Sequence, residues 1–329
     1  MIARWLQCVV VVAVLAAGAW CVWCGRQGLG PGWWLLGLLL TLAPQAVPLA
    51  LEFGLLALLG RDPALPRASG VQLLRAWWGE VLAVWRVFGW LQPFAAGREP
   101  DAPGPADPTR SGAAADPIGR TGVLLLHGYF CNRGLWTPWL RQLRQRGVPC
   151  SALSLTPEFG SIDRYQSAID AAVQDLTQRT GRPPLLVGHS MGGLSARAWL
   201  AGQADASAAD ARIAGVITIG TPHQGTWMAR FGLTTNTRQM RPGSAWLVAL
   251  AAREPAERHA RFTCFYGHAD NLVFPASTAT LAGADNRPLQ SVAHLQMVFA
   301  PEVFAEVLRR VGGVTVGVAG GAGGGPPPR

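Results

Sequence analysis

The sequence contains no lysine: its 28 basic side chains other than histidine are all arginine. No lysine amine is therefore available as a nucleophile or Schiff-base former. Charged residues make up only 14% of the 329-residue chain, and half of the residues are hydrophobic. A mean hydropathy of +0.21 is high for a soluble enzyme. Zinc-finger spacing, a basic helix and the aromatic pattern of RNA-binding modules are all missing, so the net charge of +9 does not point to nucleic acid. It permits an anionic surface such as phospholipid headgroups. Of the six cysteines only Cys21 and Cys24 have C-x-x-C spacing, and they end an apolar run rather than open a βαβ helix. No second pair completes a metal site, and no disulfide framework is implied. The length allows one or two domains with a sizeable core.

What is abundant is tryptophan near the start: nine of the 14 precede residue 91. Trp5 to Trp23 is almost unbroken apolar sequence, and about 20 helical residues cross a bilayer core. Arg4 and Arg26 bracket it, and Trp5, Trp20 and Trp23 suit the two interfaces. A signal peptide is the rival reading, but a second apolar stretch, Trp33 to Gly60, follows at once and favours a retained anchor. Pro44, Gln45, Pro48 and Glu52 interrupt this second stretch, which reads as one kinked span or as a span followed by an interfacial turn. Arg61, Arg67 and Arg75 after it, against Arg26 alone in the first loop, predict an in–out–in hairpin with the large C-terminal region in the cytoplasm of a bacterial cell. Val71 to Phe94, broken by Arg75, Glu80 and Arg86, has helical amphipathicity. It suits the plane of the interface, with its tryptophans down, better than the alternative role of covering part of the catalytic domain. The resulting division is an anchor over 1–60, an interfacial segment over 61–95, a Gly/Pro/Asp/Ala linker over 96–119, a catalytic domain over 120–311 and a disordered Gly/Pro tail over 312–329.

Within the catalytic region one stretch sets the order of everything else. Leu185-Leu186-Val187 reads as a buried strand, Gly188-His189-Ser190-Met191-Gly192 fits G-x-S-x-G, and Met191 to Leu200 reads as a helix. A tight turn from strand to helix lifts Ser190 Oγ clear of the sheet, and the glycines let neighbouring backbone pass. The N–H of Met191, opening that helix, is placed to face an oxyanion. Upstream, the strand Gly122–Leu126 runs into His127-Gly128-Tyr129, where the N–H of Tyr129 offers a second donor and His127 reads as a loop-holding residue. Strands over Pro149–Leu155, Ile213–Ile219 and Arg261–Tyr266 alternate with helical patterns over Leu135–Arg146 and Ser161–Gln178. Asp163 and Asp170 on the latter read as solvated or N-terminal charge. The alternation implies a mostly parallel sheet with helices on both faces.

Gly220-Thr221-Pro222-His223-Gln224-Gly225-Thr226 closes one strand at the sheet's carboxyl edge. His223 follows the strand too closely to be the base, and reads as shaping the pocket floor or holding the loop. Trp227, Met228 and Phe231, in an insertion running to Ala252, are candidates for an acyl-binding wall or a partial lid, weighed evenly against ordinary packing. Asp270, after the Arg261–Tyr266 strand, is the expected acid, with Asp285 in reserve. His294 is the expected base, and no histidine follows it.

LLLHGY at 124–129, GHSMGG at 188–193, GTPHQGT at 220–226, HADNLVFP at 268–275 and the late His294 resemble the bacterial triacylglycerol lipase/esterase branch of the α/β-hydrolases. The resemblance covers about residues 120–311. It implies an α/β-hydrolase fold preceded by transmembrane and interfacial helices. It also implies a triad of Ser190, Asp270 and His294, with an oxyanion hole formed by the backbone N–H groups of Tyr129 and Met191. Some secreted relatives carry a structural calcium and a disulfide, neither of which is matched by residues here. The chemistry itself requires no metal or organic cofactor. The expected function is hydrolysis of lipidic or membrane-partitioned esters, with the bilayer as partner. Acyl transfer and thioester hydrolysis would use the same residues, and a non-catalytic membrane scaffold would be expected to lack one of them.

Overall fold

Six short strands carry the fold: β1 (Val123–Leu126), β2 (Cys150–Leu153), β3 (Leu185–His189), β4 (Gly215–Ile219), β5 (Phe262–Gly267) and β6 (Asp285–Leu289). The computed structural model describes residues 1–62, 65–101 and 118–312. The sheet order is β2-β1-β3-β4-β5-β6, and every neighbouring pair is parallel. β1 and β3 are apolar almost throughout and wholly buried, as strands covered on both faces must be. Alternate residues serve opposite layers. Leu125, Val187, Ile217 and Phe265 pack on one face with Trp136, Trp139 and Leu140, and with Val303 and Val307. Leu124, Leu126, Leu186 and Val216 pack on the other with Ile169, Val173 and Trp199.

Four helices begin the chain: α1 (Ile2–Gln27), α2 (Pro31–Leu42), α3 (Ala46–Leu59) and α4 (Gly70–Val84). At 26 residues α1 is about 39 Å long and is the one helix among the described residues long and apolar enough by itself to cross a membrane. It ends at Gly28 in the left-handed conformation, and α2 turns back along it, with Trp20 Nε1–H donating to the Trp33 carbonyl at 2.9 Å. The second apolar stretch is not one straight span. α2 and α3 meet at 69° across Ala43-Pro44-Gln45, and α3 lays Phe53 and Leu56 on Phe274 and Ala293 of the later domain.

α4 starts at a capping box in which Ser69 accepts from Gln72 N–H and the Gln72 side chain accepts from Ser69 N–H. It continues as a π-helix over Trp85–Leu91. Its inner face, with Ala83, Val87 and Leu91, joins the sheet's core, while Leu74, Trp78, Leu82 and Trp90 face outward. The segment therefore covers the catalytic domain, the less favoured of the two expectations, and still offers tryptophans to an interface. Residues 96–101 also depart from a free linker: Glu99 pairs with Arg141 and Arg144, and Asp101 pairs with Arg133 and accepts from Ser151 Oγ. The remainder of the expected linker, 102–117, and the tail from 313 lie outside the described residues.

The catalytic region adds α5 (Thr137–Gln145), α6 (Gln166–Thr180), α7 (Met191–Ala201), α8 (Ala245–Ala252) and α9 (Pro301–Arg310). Ser244 caps α8, accepting from Leu247 N–H at 3.2 Å. Asp163 and Asp170 are not merely solvated. Asp163 accepts from Trp246 Nε1–H at 2.8 Å, while Asp170 accepts from Trp199 Nε1–H at 3.1 Å and pairs with Arg212 at 2.7 Å.

Candidate active site

Because all six strands run one way, every strand-end loop opens on the same edge of the sheet. Leu126 pairs with Gly188, His189 with Ile219, Ile219 with Phe265 and Gly267 with Leu289. That register brings the His127–Tyr129 loop, Ser190, Gly220, Asp270 and the 291–294 loop to one rim.

Ser190 stands between β3 and α7 with φ 53° and ψ −126°, a conformation that non-glycine residues adopt only when the surroundings impose it. Three bonds impose it here. Ser190 N–H donates to the Ile219 carbonyl at 2.8 Å, and the Ser190 carbonyl accepts from Gly193 N–H at 3.1 Å and from Thr221 Oγ1 at 2.9 Å. A Cβ at Gly192 would collide with the Leu126 carbonyl, and one at Gly188 with the backbone of Gly193. The turn thus requires glycine on both sides. Gly128 lies against the serine, since a Cβ there would come within 2.8 Å of Ser190 Cβ.

His294 and Asp270 are both buried. His294 Nδ1–H donates to Asp270 Oδ2 at 2.9 Å, and Asp270 Oδ1 accepts from Leu272 N–H at 2.9 Å and Val273 N–H at 2.8 Å. Burial works against charge on the imidazole, but the Asp270 carboxylate, with Glu80 and Glu52 behind it, outweighs burial and raises the His294 pKa above its usual 6.5. The ring lies 4.7 Å, centroid to centroid, from that of His189, the residue just before Ser190. His189 Nε2–H donates to the His294 carbonyl at 3.3 Å, and burial holds His189 neutral. The reserve acid Asp285 is instead engaged with Arg287 at the start of β6.

Met191 opens α7 and is buried, and Tyr129 follows β1 with its ring 5.8 Å from that of Phe159. His127 holds its loop from both ring nitrogens: Nδ1–H donates to the Gly128 carbonyl and Nε2 accepts from Leu155 N–H, each at 2.8 Å. Burial lowers its pKa to about 4, so it stays neutral. Of the two roles expected for His223 the contacts fit the second, holding the loop. Its imidazole is buried against Thr218 Oγ1 at 3.0 Å and Arg197, and its carbonyl accepts from Arg197 Nη1 at 2.9 Å. Trp227 stacks on Phe274 at 5.8 Å and, with Met228, packs among Ala269, Ala293 and Phe53, immediately beside the Asp270 and His294 loops. Phe231 is exposed.

Three side chains that hold these loops, Glu80, Glu52 and Asn271, are not marked as site residues by the sequence. Glu80 of α4 is buried and accepts from Leu295 N–H at 2.9 Å and Gln296 N–H at 3.1 Å, clamping the two residues after His294. Gly79 beside it leaves room for the Gln296 amide. Burial pushes the Glu80 carboxyl up to about 7. Glu52 of α3 accepts from Asn271 Nδ2 at 2.6 Å, and Asn271 Oδ1 accepts from His294 N–H at 3.2 Å. A carboxylate inside an otherwise apolar helix needs a partner, and that was the available signal. Among the described residues no three His, Cys, Asp or Glu side chains gather as metal ligands. A cavity of about 560 Å³ lined by Arg86, Trp139, Phe299 and Phe304 includes none of Ser190, Asp270 and His294.

The sequence model of the alpha/beta hydrolase family matches residues 123–323. No curated protein sequence matches the chain. Among solved structures, the mature form of Bacillus licheniformis lipase BlEst2 superposes with a TM-score of 0.51 at 16% identity, over 61% of this chain and 99% of that one. Aspergillus fumigatus lipase B superposes with a TM-score of 0.50 at 17% identity, over 57% of this chain and 51% of that one. This chain thus spans about half the length of the second lipase. At these identities the likeness is one of fold.

Proposed function

The chain belongs to the alpha/beta hydrolase family, and on that footing we propose that it is a membrane-attached serine hydrolase of carboxylic esters, acting on lipidic or membrane-partitioned acyl esters. One observation carries the reading: the His294 imidazole, 2.9 Å from Asp270, sits on the same rim as the constrained turn at Ser190. Ser190 Oγ attacks the ester carbonyl while His294 Nε2 takes its proton. The tetrahedral oxyanion accepts from the N–H groups of Tyr129 and Met191, an arrangement in which losing one donor costs about 3–4 kcal/mol. Collapse breaks the ester C–O bond, and the imidazolium returns its proton to the departing alcohol. Water, deprotonated by His294, then attacks the acyl-enzyme and frees the acid and Ser190. Asp270 keeps the proton on Nδ1 and stabilises the imidazolium throughout.

The lipidic substrate class is supported by α1, by the bent α2–α3 pair and by the outward tryptophans of α4. The arginine distribution favours a bacterial inner membrane with the hydrolase domain on the cytoplasmic side. An alkyl fluorophosphonate is expected to label Ser190 in the intact protein in lipid. Ser190→Ala is expected to abolish labelling and to lower ester turnover by about 10⁴-fold or more. Folded protein that hydrolyses esters equally well with alanine at 190 would refute the assignment.

A further inference from the structure

Residues outside the family match pack on the loop that follows β1. α1 passes the loop after β1 with Trp5 edge-on to Phe130 at 5.6 Å, and Phe88 lies 6.1 Å from the same ring. Between α1, the α2–α3 bend and the π-helical turn lies a cavity of about 350 Å³, walled by Val9, Ala13, Leu42, Trp85, Phe88 and Phe130. Its size is that of a small ligand pocket, roughly 300–1,000 Å³. No charged side chain lines it, so it has nothing to pair with a head group. None of Ser190, Asp270 and His294 lines it, and its link to the rim is Phe130, two residues beyond the Gly128 that abuts Ser190. Phe130 is held at φ 57°, a left-handed backbone conformation that the surrounding loop imposes. Its outer wall is formed by helices that expose Val11, Val12, Leu15 and Leu39.

We infer that this cavity is the acyl site: the hydrocarbon chain of an ester whose carbonyl sits at Ser190 lies between α1, α2 and Phe130, and reaches that place from within the bilayer. The inference rests on the hydrolase reading above. It adds that the substrate is a long-chain acyl ester, and that the N-terminal helices rather than the hydrolase core select it. Each methylene buried there is worth about fourfold in kcat/KM until the space is full, from about 0.8 kcal/mol per methylene.

The test uses the full chain in lipid nanodiscs with esters of graded acyl length. Ala13→Trp fills the cavity. It is expected to cut kcat/KM for a 12-carbon acyl ester at least tenfold, while leaving butyryl ester hydrolysis and Ser190 labelling by a short fluorophosphonate within about twofold. Leu42→Ala enlarges the cavity and is expected to move the preferred acyl chain to greater length. Equal losses at both chain lengths, or none, would overturn the inference. Should Ala13→Trp disturb packing, the wild type answers instead. A dodecyl fluorophosphonate with a terminal diazirine is expected to crosslink to α1 and α2, and crosslinks confined to 227–252 would place the chain elsewhere. A wild type that no fluorophosphonate labels would remove the hydrolase reading itself, and the acyl site with it.

Discussion

His294 meets two opposing influences: burial, which favours the neutral ring, and the carboxylates of Asp270, Glu80 and Glu52, which together favour the charged one and prevail. A general base works only when unprotonated, so kcat/KM should rise with pH through a midpoint above 6.5. Asp270→Asn keeps the shape but removes the charge, so that midpoint should fall and kcat should drop by about 10⁴-fold, read from pH–rate profiles of a water-soluble ester. Glu80 presents a separate case. Its two oxygens occupy the N–H groups of Leu295 and Gln296, so Glu80→Ala should loosen His294 and cost kcat roughly 10- to 100-fold. Glu80→Gln retains one of the two acceptors and should rescue only part of that loss. The folded carboxyl titrates near 7 against a usual 4.5, so its protonated form is the one the fold favours. Its contribution to stability is therefore full below about 4.5 and is lost as pH rises through about 7, a change of up to roughly 3 kcal/mol. The stability of Glu80→Gln relative to wild type should consequently rise between about pH 5 and about pH 8, measured by urea unfolding midpoints. A pH-independent difference would mean that the carboxylate is not confined as described.

At the scale of elements, α3 packs on the histidine loop and hydrogen-bonds to it through Asn271. It sets Glu52 on Asn271, which holds His294 N–H, and covers Phe274 and Ala293 with Phe53 and Leu56. A chain starting at residue 61 keeps α4 and Glu80 but loses these contacts. Its turnover of a short, water-soluble ester in detergent should fall at least tenfold, since a displacement of about 1 Å near the chemistry can cost 10²-fold. Were α1–α3 only a tether, the truncated chain would match the intact one. These contacts also mark where reading the sequence stops. GHSMGG, the buried strands and the chain order of Ser190, Asp270 and His294 follow from patterns only a few residues long. Glu52 meets Asn271 across 219 residues and Glu80 meets Leu295 across 215, and no local periodicity encodes such pairs. The 69° bend at Pro44 was legible as an interruption but not as a direction. His223 looked like a rim residue because it follows a strand end, and only the packed position of Arg197 shows why its ring turns inward.

Across the whole molecule, both ends of the α1–α3 hairpin return to the hydrolase domain. α1 arrives through Trp5 on Phe130 and through Gln7 Nε2, which donates to the Pro93 carbonyl at 2.6 Å. α3 arrives through Phe53 and Leu56. A helix of about 39 Å exceeds a hydrocarbon core of about 30 Å, so Gly28 to Gly30 can emerge on the far face while Met1 remains beside the domain. In the proposed membrane-crossing arrangement the N-terminus and the hydrolase domain share one side, and the arginines distinguish the two sides. Arg4, Arg61, Arg67 and Arg75 lie on the domain side against Arg26 on the other. That imbalance is the one expected if the domain faces the cytoplasm, as proposed. A short epitope inserted between Gly28 and Gly30 should be accessible from the periplasmic face of intact spheroplasts, and one fused before Met1 only after lysis. If both become accessible together, the hairpin does not cross, and the acyl cavity must be fed from the surface. If the two sides are exchanged, the hairpin contacts stand and only the charge argument fails. The test therefore separates what packing decides from what the arginines decide.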